Sequence, residues 1–361
     1  MDLAIIGLEQ SGKTTLFRAV TRGHAASASY GALEPNLGVV KVPDDRLDRL
    51  SALLNSRKIT HLELRWLDFP GSLSLRGEAP PAYLAALAQC DALVHLVRAF
   101  HDESVPHPQD SVDPDRDIAS VNLELAYGDA AALERRHERL EISVRSGRPG
   151  EREAGERELV LLQRLREALE REEPLRAQEL SPDERRTISG YQLLTSKPLL
   201  LAVNVDESDA PRMSEIEADF SQRWAGPGME VVALCAKLEQ ELAELSEEEA
   251  AEFRTDMGLS DDGAGRLAQA AQRVLGLLAF FTVGETEGRA WALPEGGSAL
   301  DAANKIHSDI ARGFIRAEVI GCQEMLDCGS WPEARKRGLL RTEGKQYVVK
   351  DGELINILFN V

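Results

Sequence analysis

The segment Leu3–Phe17 constrains the fold more than any other stretch of the chain. Leu3–Ile6 is a short apolar run that predicts a buried strand, and Gly7–Thr14 then reads G-x-x-x-x-G-K-T. This spacing is typical of a loop whose backbone N–H groups and following helix N-terminus hold phosphates. The alternative is a glycine-rich turn that binds nothing. We favour the phosphate loop, because glycine permits close backbone approach and Lys13 supplies a compact cation.

Each position of this loop has a predicted role in holding a nucleotide. Lys13 would contact the terminal phosphates and act in catalysis, and the hydroxyl of Thr14 is a predicted Mg²⁺ ligand. The neighbouring backbone would surround the phosphates with N–H donors. The residues predicted to bind nucleotide in this segment are Glu9, Gln10, Ser11, Gly12, Lys13, Thr14 and Thr15.

Composition limits the classes to which the chain can belong. Its 361 residues, 43% apolar and 29% charged, are ordinary for a globular protein of two or three domains. No membrane span or cationic leader is visible, so we expect a cytoplasmic protein. The four cysteines lack C-x-x-C spacing, which argues against a zinc site. A net charge of −19 opposes binding of DNA by the surface as a whole.

Polar residues follow three later predicted strands, and the first group is Asp68-Phe-Pro-Gly71. It ends a strand predicted over Leu62–Phe69. A carboxylate at this position can hold Mg²⁺, and the N–H of Gly71 can meet a γ-phosphate. The alternative is a turn with a solvated Asp68, but the position of D-x-x-G downstream of a phosphate loop favours a switch segment.

The second group is Asn204-Val205-Asp-Glu207, which follows the apolar run Pro198–Val205. Asn204 can bridge the phosphate loop and the base of a nucleotide. The fourth position is Asp in guanine-specific proteins, where its carboxylate accepts two hydrogen bonds from guanine. Glu207 extends its carboxylate about 1.5 Å further. A weak guanine clamp discriminates less against adenine, so both ATP and GTP stay open.

The third group is Cys235-Ala236-Lys237, after a strand predicted over Glu230–Ala236. A backbone N–H at this position can meet the six-position of the base, and the stem of Lys237 can cover the ring. The alternative is an ordinary helix start. These three strand ends, behind a phosphate loop, are typical of the nucleotide site of a doubly wound sheet.

A helical pattern replaces the alternating strands and helices from about Ser120. Apolar or small residues recur every three or four positions, which predicts an antiparallel coiled-coil hairpin over 121–174 with a turn at Ser146–Gly150. The alternative is an ordinary helix pair lying on the sheet. The positions that carry the first repeat are Ala126, Ala130, Leu133, His137, Leu140 and Val144.

The chain from about Gly276 reads as a separate, mostly β domain with one helix near 299–307. A cationic run, Arg335-Lys-Arg337, is joined by Arg341, Lys345 and Lys350. It is either a surface that faces RNA or a solvated helix and loop. The strands are predicted over 277–283, 289–293, 313–320, 345–349 and 353–361.

Several stretches spread over the whole chain form a pattern specific to one family. They are Gly7–Phe17, Glu34-Pro-Asn-Leu-Gly-Val-Val, Asp91-Ala-Leu-Val-His-Leu-Val-Arg, Asn204-Val-Asp-Glu, Phe280-Phe-Thr-Val-Gly-Glu and the Ile306–Val319 segment. The sequence thereby resembles the YchF family of Obg-related (TRAFAC) P-loop GTPases.

This resemblance implies an α/β P-loop NTPase with a doubly wound, mostly parallel sheet, an inserted helical coiled-coil hairpin and a C-terminal TGS domain of β-grasp, ubiquitin-like fold. It also implies hydrolysis of ATP at least as good as that of GTP, Mg²⁺ as cofactor with K⁺ as a further candidate, and association with ribosomes through the large subunit or a 70S-like particle. The expected domains are 1–120 with 196–276 (G domain), 121–195 (helical insertion) and 277–361 (TGS).

Family members are thought to use a His from a loop in catalysis, which matches His107 in this sequence. The alternative is an exposed loop His between Pro106 and Pro108. Both switch regions depart from the family. Ala32 replaces a Thr that would contact Mg²⁺ and the γ-phosphate, and Ser72 is too short to orient water as Gln would. We therefore expect nucleotide binding to survive better than hydrolysis.

Three functions compete at this stage. The first is a regulatory NTPase that acts as a ribosome-associated switch. The second is a scaffold that binds nucleotide with negligible hydrolysis, which the departures at Ala32 and Ser72 favour. The third, a P-loop small-molecule kinase, leaves the groups at Asn204 and Cys235 unexplained.

Overall fold

The computed structural model of the protein describes residues 1–23, 25–26, 34–71, 73, 80–146, 148–257, 259 and 262–360. The predicted departures at Ala32 and Ser72 lie outside these residues. The chain divides into two compact units. The first unit comprises Met1–Val39 and Arg65–Ala270, and the second unit comprises Val40–Leu64 and Ala271–Val361.

Strands and helices alternate along most of the described chain. The strands are β1 (Asp2–Ile6), β2 (Ala25–Ala26), β3 (Asn36–Val42), β4 (Ile59–Thr60), β5 (Leu62–Asp68), β6 (Ala92–Arg98), β7 (Leu199–Asn204), β8 (Met229–Leu234), β9 (Leu277–Val283), β10 (Gly288–Pro294), β11 (Phe314–Gly321), β12 (Arg341–Glu343) and β13 (Glu353–Phe359). The helices are α1 (Lys13–Thr21), α2 (Asp45–Leu53), α3 (Pro81–Ala88), α4 (Pro114–Ser146), α5 (Pro149–Glu170), α6 (Pro182–Ile188), α7 (Met213–Trp224), α8 (Ala236–Ala243), α9 (Glu247–Asp256), α10 (Gly263–Val274), α11 (Ala299–Ile306), α12 (Ser308–Arg312), α13 (Cys322–Cys328) and α14 (Trp331–Lys336).

The first unit is built on a mostly parallel sheet with the strand order β2-β3-β5-β1-β6-β7-β8. Strand β1 pairs in parallel with β5 and β6, β6 pairs with β7, and β7 pairs with β8. Every residue of β6 and β7 is buried, as expected for parallel strands covered on both faces. The predicted doubly wound α/β fold is confirmed. The carboxyl ends of these strands meet at one edge, where the candidate site lies.

The predicted helical hairpin is also confirmed, and it begins earlier than expected. Helix α4 starts at Pro114, and its first turns place Ile118 and Val121 in the hydrophobic cores beside the sheet. Its later turns pack against α5, with Leu133 and Leu165 both fully buried. The coiled-coil hairpin and the helix pair lying on the sheet are therefore each correct for part of α4. This one continuous helix first covers the sheet and then pairs with α5.

The turn predicted over Ser146–Gly150 is too long. Helix α5 already begins at Pro149, at a position where proline is favoured because its missing N–H would have no partner. The Glu151 carboxylate accepts a hydrogen bond from the Arg148 backbone N–H at 3.1 Å, which caps the new helix. The strand predicted over Glu230–Ala236 also ends earlier than expected. Cys235 is the N-cap of α8, so Ala236 belongs to the helix.

The second unit contains a mixed sheet with the order β12-β11-β13-β9-β10-β4. Helix α11 covers it, and its three alanines (Ala299, Ala302 and Ala303) are fully buried with Phe280 and Leu293. Small residues on the helix allow this close approach to large residues on the strands.

Two predictions for this unit are wrong. Residues 345–349 do not form a strand, because the Tyr347 N–H closes a turn onto the Gly344 carbonyl at 3.1 Å and only Val348 makes an isolated bridge, with Ser298. The single helix predicted near 299–307 is accompanied by α12, α13 and α14. These helices are five to seven residues long, too short to show a clear helical period in the sequence. The predicted domain boundaries stay a prediction.

Within the described ranges, no helix is both long enough and apolar enough to cross a bilayer.

Candidate functional site

The loop between β1 and α1 has the backbone conformation that its glycines predict. Gly7 and Gly12 have φ angles of 144° and 96°, which disfavour any residue with a Cβ. A Cβ on Gly7 would lie 2.4 Å from the Leu96 carbonyl oxygen. Glu9 and Gln10 form the exposed tip of the loop. The loop therefore lies tightly against β6 and leaves its tip open to solvent.

Lys13, the first residue of α1, points its ammonium group back over the loop. Its Nζ donates to the carbonyl oxygens of Gly7 at 3.1 Å and Leu8 at 2.6 Å. Burial lowers the pKa of Lys13 to about 8, and the carboxylates of Asp68 and Glu9 offset part of this effect. A cation held by two neutral carbonyls and partly desolvated is well placed to attract phosphate oxygens.

The Thr14 hydroxyl and the Asp68 carboxylate lie together at the carboxyl ends of the strands. Thr14 Oγ1 donates to Asp68 Oδ2 at 3.2 Å, and Asn36 Nδ2 donates to the same oxygen at 3.4 Å. Asp68 is buried at the end of β5. The adjacent Thr15 is part of the first turn of α1, and Gly71 follows β5 in an exposed position with φ of 111°.

This pair of oxygen donors fits a magnesium site. Hydroxyl and carboxylate oxygens are the ligands that Mg²⁺ prefers, and protein sites commonly supply one or two of them while water and phosphate supply the rest. In the part of the chain that is described, no group of three or more His, Cys, Asp or Glu side chains is arranged to hold a metal by itself. The fit therefore depends on a nucleotide that completes the coordination.

Asn204 links three parts of the site through its side-chain amide. Its Nδ2 donates to the Ser11 carbonyl at 2.9 Å, and its Oδ1 accepts the Ala236 N–H at 2.9 Å. A Cβ on Gly12 would lie 2.6 Å from Nδ2. The predicted bridge from Asn204 to the phosphate loop is thus present. The oxygen of the same side-chain amide holds Ala236, the first residue of α8.

The remaining residues predicted to contact the base have two different environments. Val205 and Cys235 are buried in the core, and the Val205 N–H donates to the Leu234 carbonyl at 2.9 Å. Glu207 and Lys237 are exposed. The Ala236 N–H is already engaged by Asn204. The alternative of an ordinary helix start is therefore correct for this N–H group. Glu207 and Lys237 remain the predicted side-chain contacts to the base.

The side chain of His107 is buried, so the alternative of an exposed loop His is wrong. Its side chain is 4% exposed, and its Nε2 lies 2.8 Å from Asp117 Oδ2. The Gln109 N–H donates to Nδ1 at 3.2 Å, which assigns the ring proton to Nε2 and makes Nε2 the donor to Asp117. Both ring nitrogens are therefore engaged, and the catalytic role of His107 stays a prediction.

Arg98 organises the loop that leads to His107, and the sequence reasoning missed it. It ends β6 and donates from Nη2 to the carbonyls of Val105 at 2.9 Å and Asp102 at 3.3 Å. Its guanidinium also lies 4.4 Å above the Phe100 ring. The available signal was an arginine at the end of a strand that is apolar apart from His95, since such a residue needs partners when the strand is buried.

The cationic run of the second unit is matched by carboxylates. Arg335 pairs with Glu318 at 2.8 Å and Arg337 with Glu333 at 2.7 Å. Arg341 pairs with Glu353 at 2.5 Å. A surface whose arginines already have carboxylate partners has less positive charge to offer RNA, which favours the solvated helix and loop.

Comparisons with known proteins agree with this fold. The chain is 39% identical over 368 residues to "Ribosome-binding ATPase YchF" of Bacillus subtilis, which covers 100% of both chains. It is 35% identical to the protein of the same name in Escherichia coli O157:H7, covering 99% of this chain and 98% of the other. The solved "Structure of the Schizosaccharomyces pombe YchF GTPase" matches with a TM-score of 0.85 and 28% identity, over 99% of this chain and 97% of that one.

A family model for the C-terminal part of YchF GTPases, described as "Protein of unknown function (DUF933)", matches residues 277–360. The phosphate loop, the parallel sheet and the strand-end residues define a P-loop nucleotide-binding protein of the doubly wound α/β class. Within this class, the chain belongs to the YchF family.

The lowered pKa of Lys13 predicts how nucleotide affinity depends on pH. Phosphates bind the protonated ammonium, and the free protein holds that proton with a pKa of about 8. Affinity should therefore be constant at lower pH and fall above about pH 8, by up to about ten-fold per pH unit. Isothermal titration of Mg·ATP between pH 7 and 9.5 measures this dependence.

In Lys13→Met the pH dependence above pH 8 should disappear together with most of the affinity. Lys58→Met, at an exposed lysine of the second unit, should behave as the unmodified protein. A flat affinity up to pH 9.5 in the unmodified protein would contradict the lowered pKa of Lys13, and full affinity in Lys13→Met would contradict its assignment as the phosphate-binding cation.

Proposed function

We propose that this chain is a regulatory NTPase that binds and hydrolyses ATP, GTP or both and acts as a ribosome-associated switch in the cytoplasm. The relatives named "Ribosome-binding ATPase YchF" support this, because they match the chain over its whole length at 35–39% identity. The name of the Schizosaccharomyces pombe structure, a GTPase, keeps the second nucleotide open.

The observation that carries the proposal is the convergence of four side chains at one edge of the sheet. Lys13 supplies the cation, Thr14 and Asp68 supply a pair of oxygen donors 3.2 Å apart, and Asn204 holds the loop against the start of α8. A turn that binds no ligand would not explain why an ammonium group is partly desolvated beside a buried carboxylate.

The proposed reaction is phosphoryl transfer to water. The water oxygen forms a bond to the γ-phosphorus while the bond from phosphorus to the β,γ-bridging oxygen breaks, and the water proton leaves with the products, which are a nucleoside diphosphate and phosphate. Lys13 would balance charge on the phosphates, and the loop backbone would orient them. Thr14 and Asp68 would hold Mg²⁺, which supplies charge neutralisation at the β- and γ-phosphates when bound. K⁺ as a second cation stays a prediction.

A second candidate, the scaffold that binds nucleotide without turnover, is favoured by the state of His107. Its Nε2 proton is donated to Asp117, and its Nδ1 accepts from Gln109. In this arrangement the ring has no free acceptor for a proton from water. Hydrolysis through His107 would therefore require the ring to leave Asp117.

Single-turnover phosphate release distinguishes the two candidates. With Mg²⁺ and excess enzyme, the switch predicts release of phosphate from ATP above background, and His107→Ala should reduce that rate by about 10²-fold or more if His107 positions or activates water. His101→Ala is the matched control, since His101 is an exposed histidine near the start of the same loop and should keep the full rate.

Tight binding of ATP with no phosphate release in the unmodified protein would support the scaffold and refute the switch. Release that His107→Ala leaves unchanged would retain the NTPase and exclude His107 from catalysis.

Base preference has its own test at Glu207. Glu207→Asp shortens the side chain by one methylene and should raise GTP affinity several-fold relative to ATP if this carboxylate meets the base edge. Paired titrations of ATP and GTP measure the ratio. Glu215→Asp in α7 is the control, because Glu215 is exposed and pairs with Arg212. An unchanged ratio in Glu207→Asp would show that Glu207 does not contact the base.

A further inference from the structure

A second cavity lies in the first unit, at the edge of the sheet opposite the phosphate loop. It encloses about 600 Å³ and is bordered by Asp91, Pro198 and Gly228. Each of these residues stands immediately before a parallel strand, namely β6, β7 and β8. The phosphate loop and Asn204 follow strands. The topology therefore separates this amino-edge pocket from the nucleotide site by the length of the strands.

Two cations of the amino-edge pocket are held by backbone carbonyls. Arg176 donates from Nη1 to the Thr195 carbonyl at 3.3 Å, and Lys197 donates from Nζ to the Cys90 carbonyl at 2.5 Å. Across the described residues, neither side chain has a carboxylate oxygen within ion-pair distance. Burial lowers the pKa of Arg176 to about 10 and also lowers that of Lys197. Nearby acidic groups offset part of this shift, namely Asp129 for Arg176, and Cys90, Asp91 and Asp129 for Lys197.

A third cation, Arg185, lines the same pocket from α6. Its Nε donates to the Leu180 carbonyl at 3.1 Å, and it too lacks a carboxylate partner in the described ranges. The guanidinium groups of Arg176 and Arg185 keep N–H donors that these single bonds do not use.

Two carboxylates lie near these cations, and both already accept hydrogen bonds from the backbone. Asp91 is the acidic residue of the lining, and its Oδ2 accepts the Asp2 N–H at 2.7 Å. Asp129, in α4, is buried and accepts from the Leu194 N–H and from both the N–H and the hydroxyl of Thr195. Three cations thus share two carboxylates, Asp91 and Asp129, in a chain whose net charge is −19. This excess of positive charge favours an anionic ligand.

Neutral polar and apolar side chains complete the lining. Gln89 and Gln192 hydrogen-bond to each other at 2.9 Å, while Leu175, Ile188 and Leu193 supply apolar surface. Such a mixture suits a molecule that has an anionic group and an uncharged body. The volume falls within the range of about 300–1,000 Å³ typical of small-molecule sites.

We propose that the amino-edge pocket binds a phosphorylated small molecule of about nucleotide size, with Arg176, Arg185 and Lys197 contacting its phosphate groups. Arginine recognises phosphate through paired N–H donors, and lysine does so as a point charge. A concave pocket suits a small ligand better than the backbone of RNA, which is bound along extended basic surfaces. The site is distinct from the phosphate loop and does not depend on the proposed hydrolysis.

Titration with inorganic pyrophosphate tests this proposal, with the full chain carrying Lys13→Gln so that the phosphate loop contributes little. Binding should persist in this background. Adding Arg176→Gln or Lys197→Gln should weaken it about ten-fold or more, since each removes a charged contact. Arg185→Gln should act in the same direction, and because Arg185 is exposed this variant is expected to fold normally.

Arg171→Gln is the matched control. Arg171 is a nearby exposed arginine that pairs with Glu173 and does not line the pocket, so pyrophosphate binding should be unchanged. Loss of all pyrophosphate binding in Lys13→Gln alone would overturn the proposal, as would binding that Arg176→Gln and Arg185→Gln leave intact. A single-stranded RNA whose binding depends on Arg185 while pyrophosphate does not bind would assign the pocket to RNA and overturn it as well.

Discussion

The candidate site depends on one buried amide. Asn204 donates to the Ser11 carbonyl and accepts from the Ala236 N–H, each at 2.9 Å. Because Asn204 ends β7, these two bonds join the phosphate loop, the central sheet and the start of α8. A buried amide with both ends satisfied contributes order as well as stability, since breaking either bond leaves a desolvated group unpaired. The position of Gly12 follows from the same contact, because a Cβ would meet the amide.

Sequence reasoning predicts this part of the molecule well for a physical reason. The phosphate loop follows β1, and Asp68 and Asn204 end β5 and β7 of the same sheet, where parallel strands bring their carboxyl ends to one edge. Pairings that depend on loop conformation were not foreseeable. Nothing in the sequence pattern indicates that the His107 ring is buried against Asp117. The arginine that ends β6 indicates a need for partners, but not that Arg98 holds the loop before His107, because both contacts arise from tertiary packing.

Short elements are the second feature that the sequence pattern predicts poorly. The turn at Gly344–Tyr347 interrupts a β-branched and aromatic run that has the composition of a strand. Helices α12 to α14 of the second unit have one or two turns each. Local capping, rather than a hydrophobic period, therefore determines where they form. His307 illustrates this, since its ring nitrogen accepts the Asp309 N–H at 3.1 Å and starts α12. Such caps are visible only once the chain has folded.

The two edges of the central sheet have opposite charge arrangements. At the carboxyl edge, the carboxylates of Asp68 and Glu9 act on Lys13, so a nucleotide would enter a site of mixed charge that suits a metal ion. At the amino edge, Arg176 and Lys197 donate to backbone carbonyls and have no carboxylate within ion-pair distance among the described residues, while Asp129 acts on both from further away. Under the two proposals, one scaffold would present two phosphate-binding chemistries, a loop of backbone donors with a pair of Mg²⁺ ligands and a pocket of cationic side chains.

The affinity of Mg·ATP for Asn204→Asp, measured by isothermal titration, tests the central claim most directly. The substitution keeps the shape but removes the donor to Ser11, so the carboxylate faces a carbonyl oxygen. The account predicts affinity about 10- to 100-fold weaker than that of the unmodified protein, with Asn304→Asp, on the exposed side of α11, unchanged. Affinity within two-fold of the unmodified protein would contradict the claim that Asn204 holds the loop in its nucleotide-binding form.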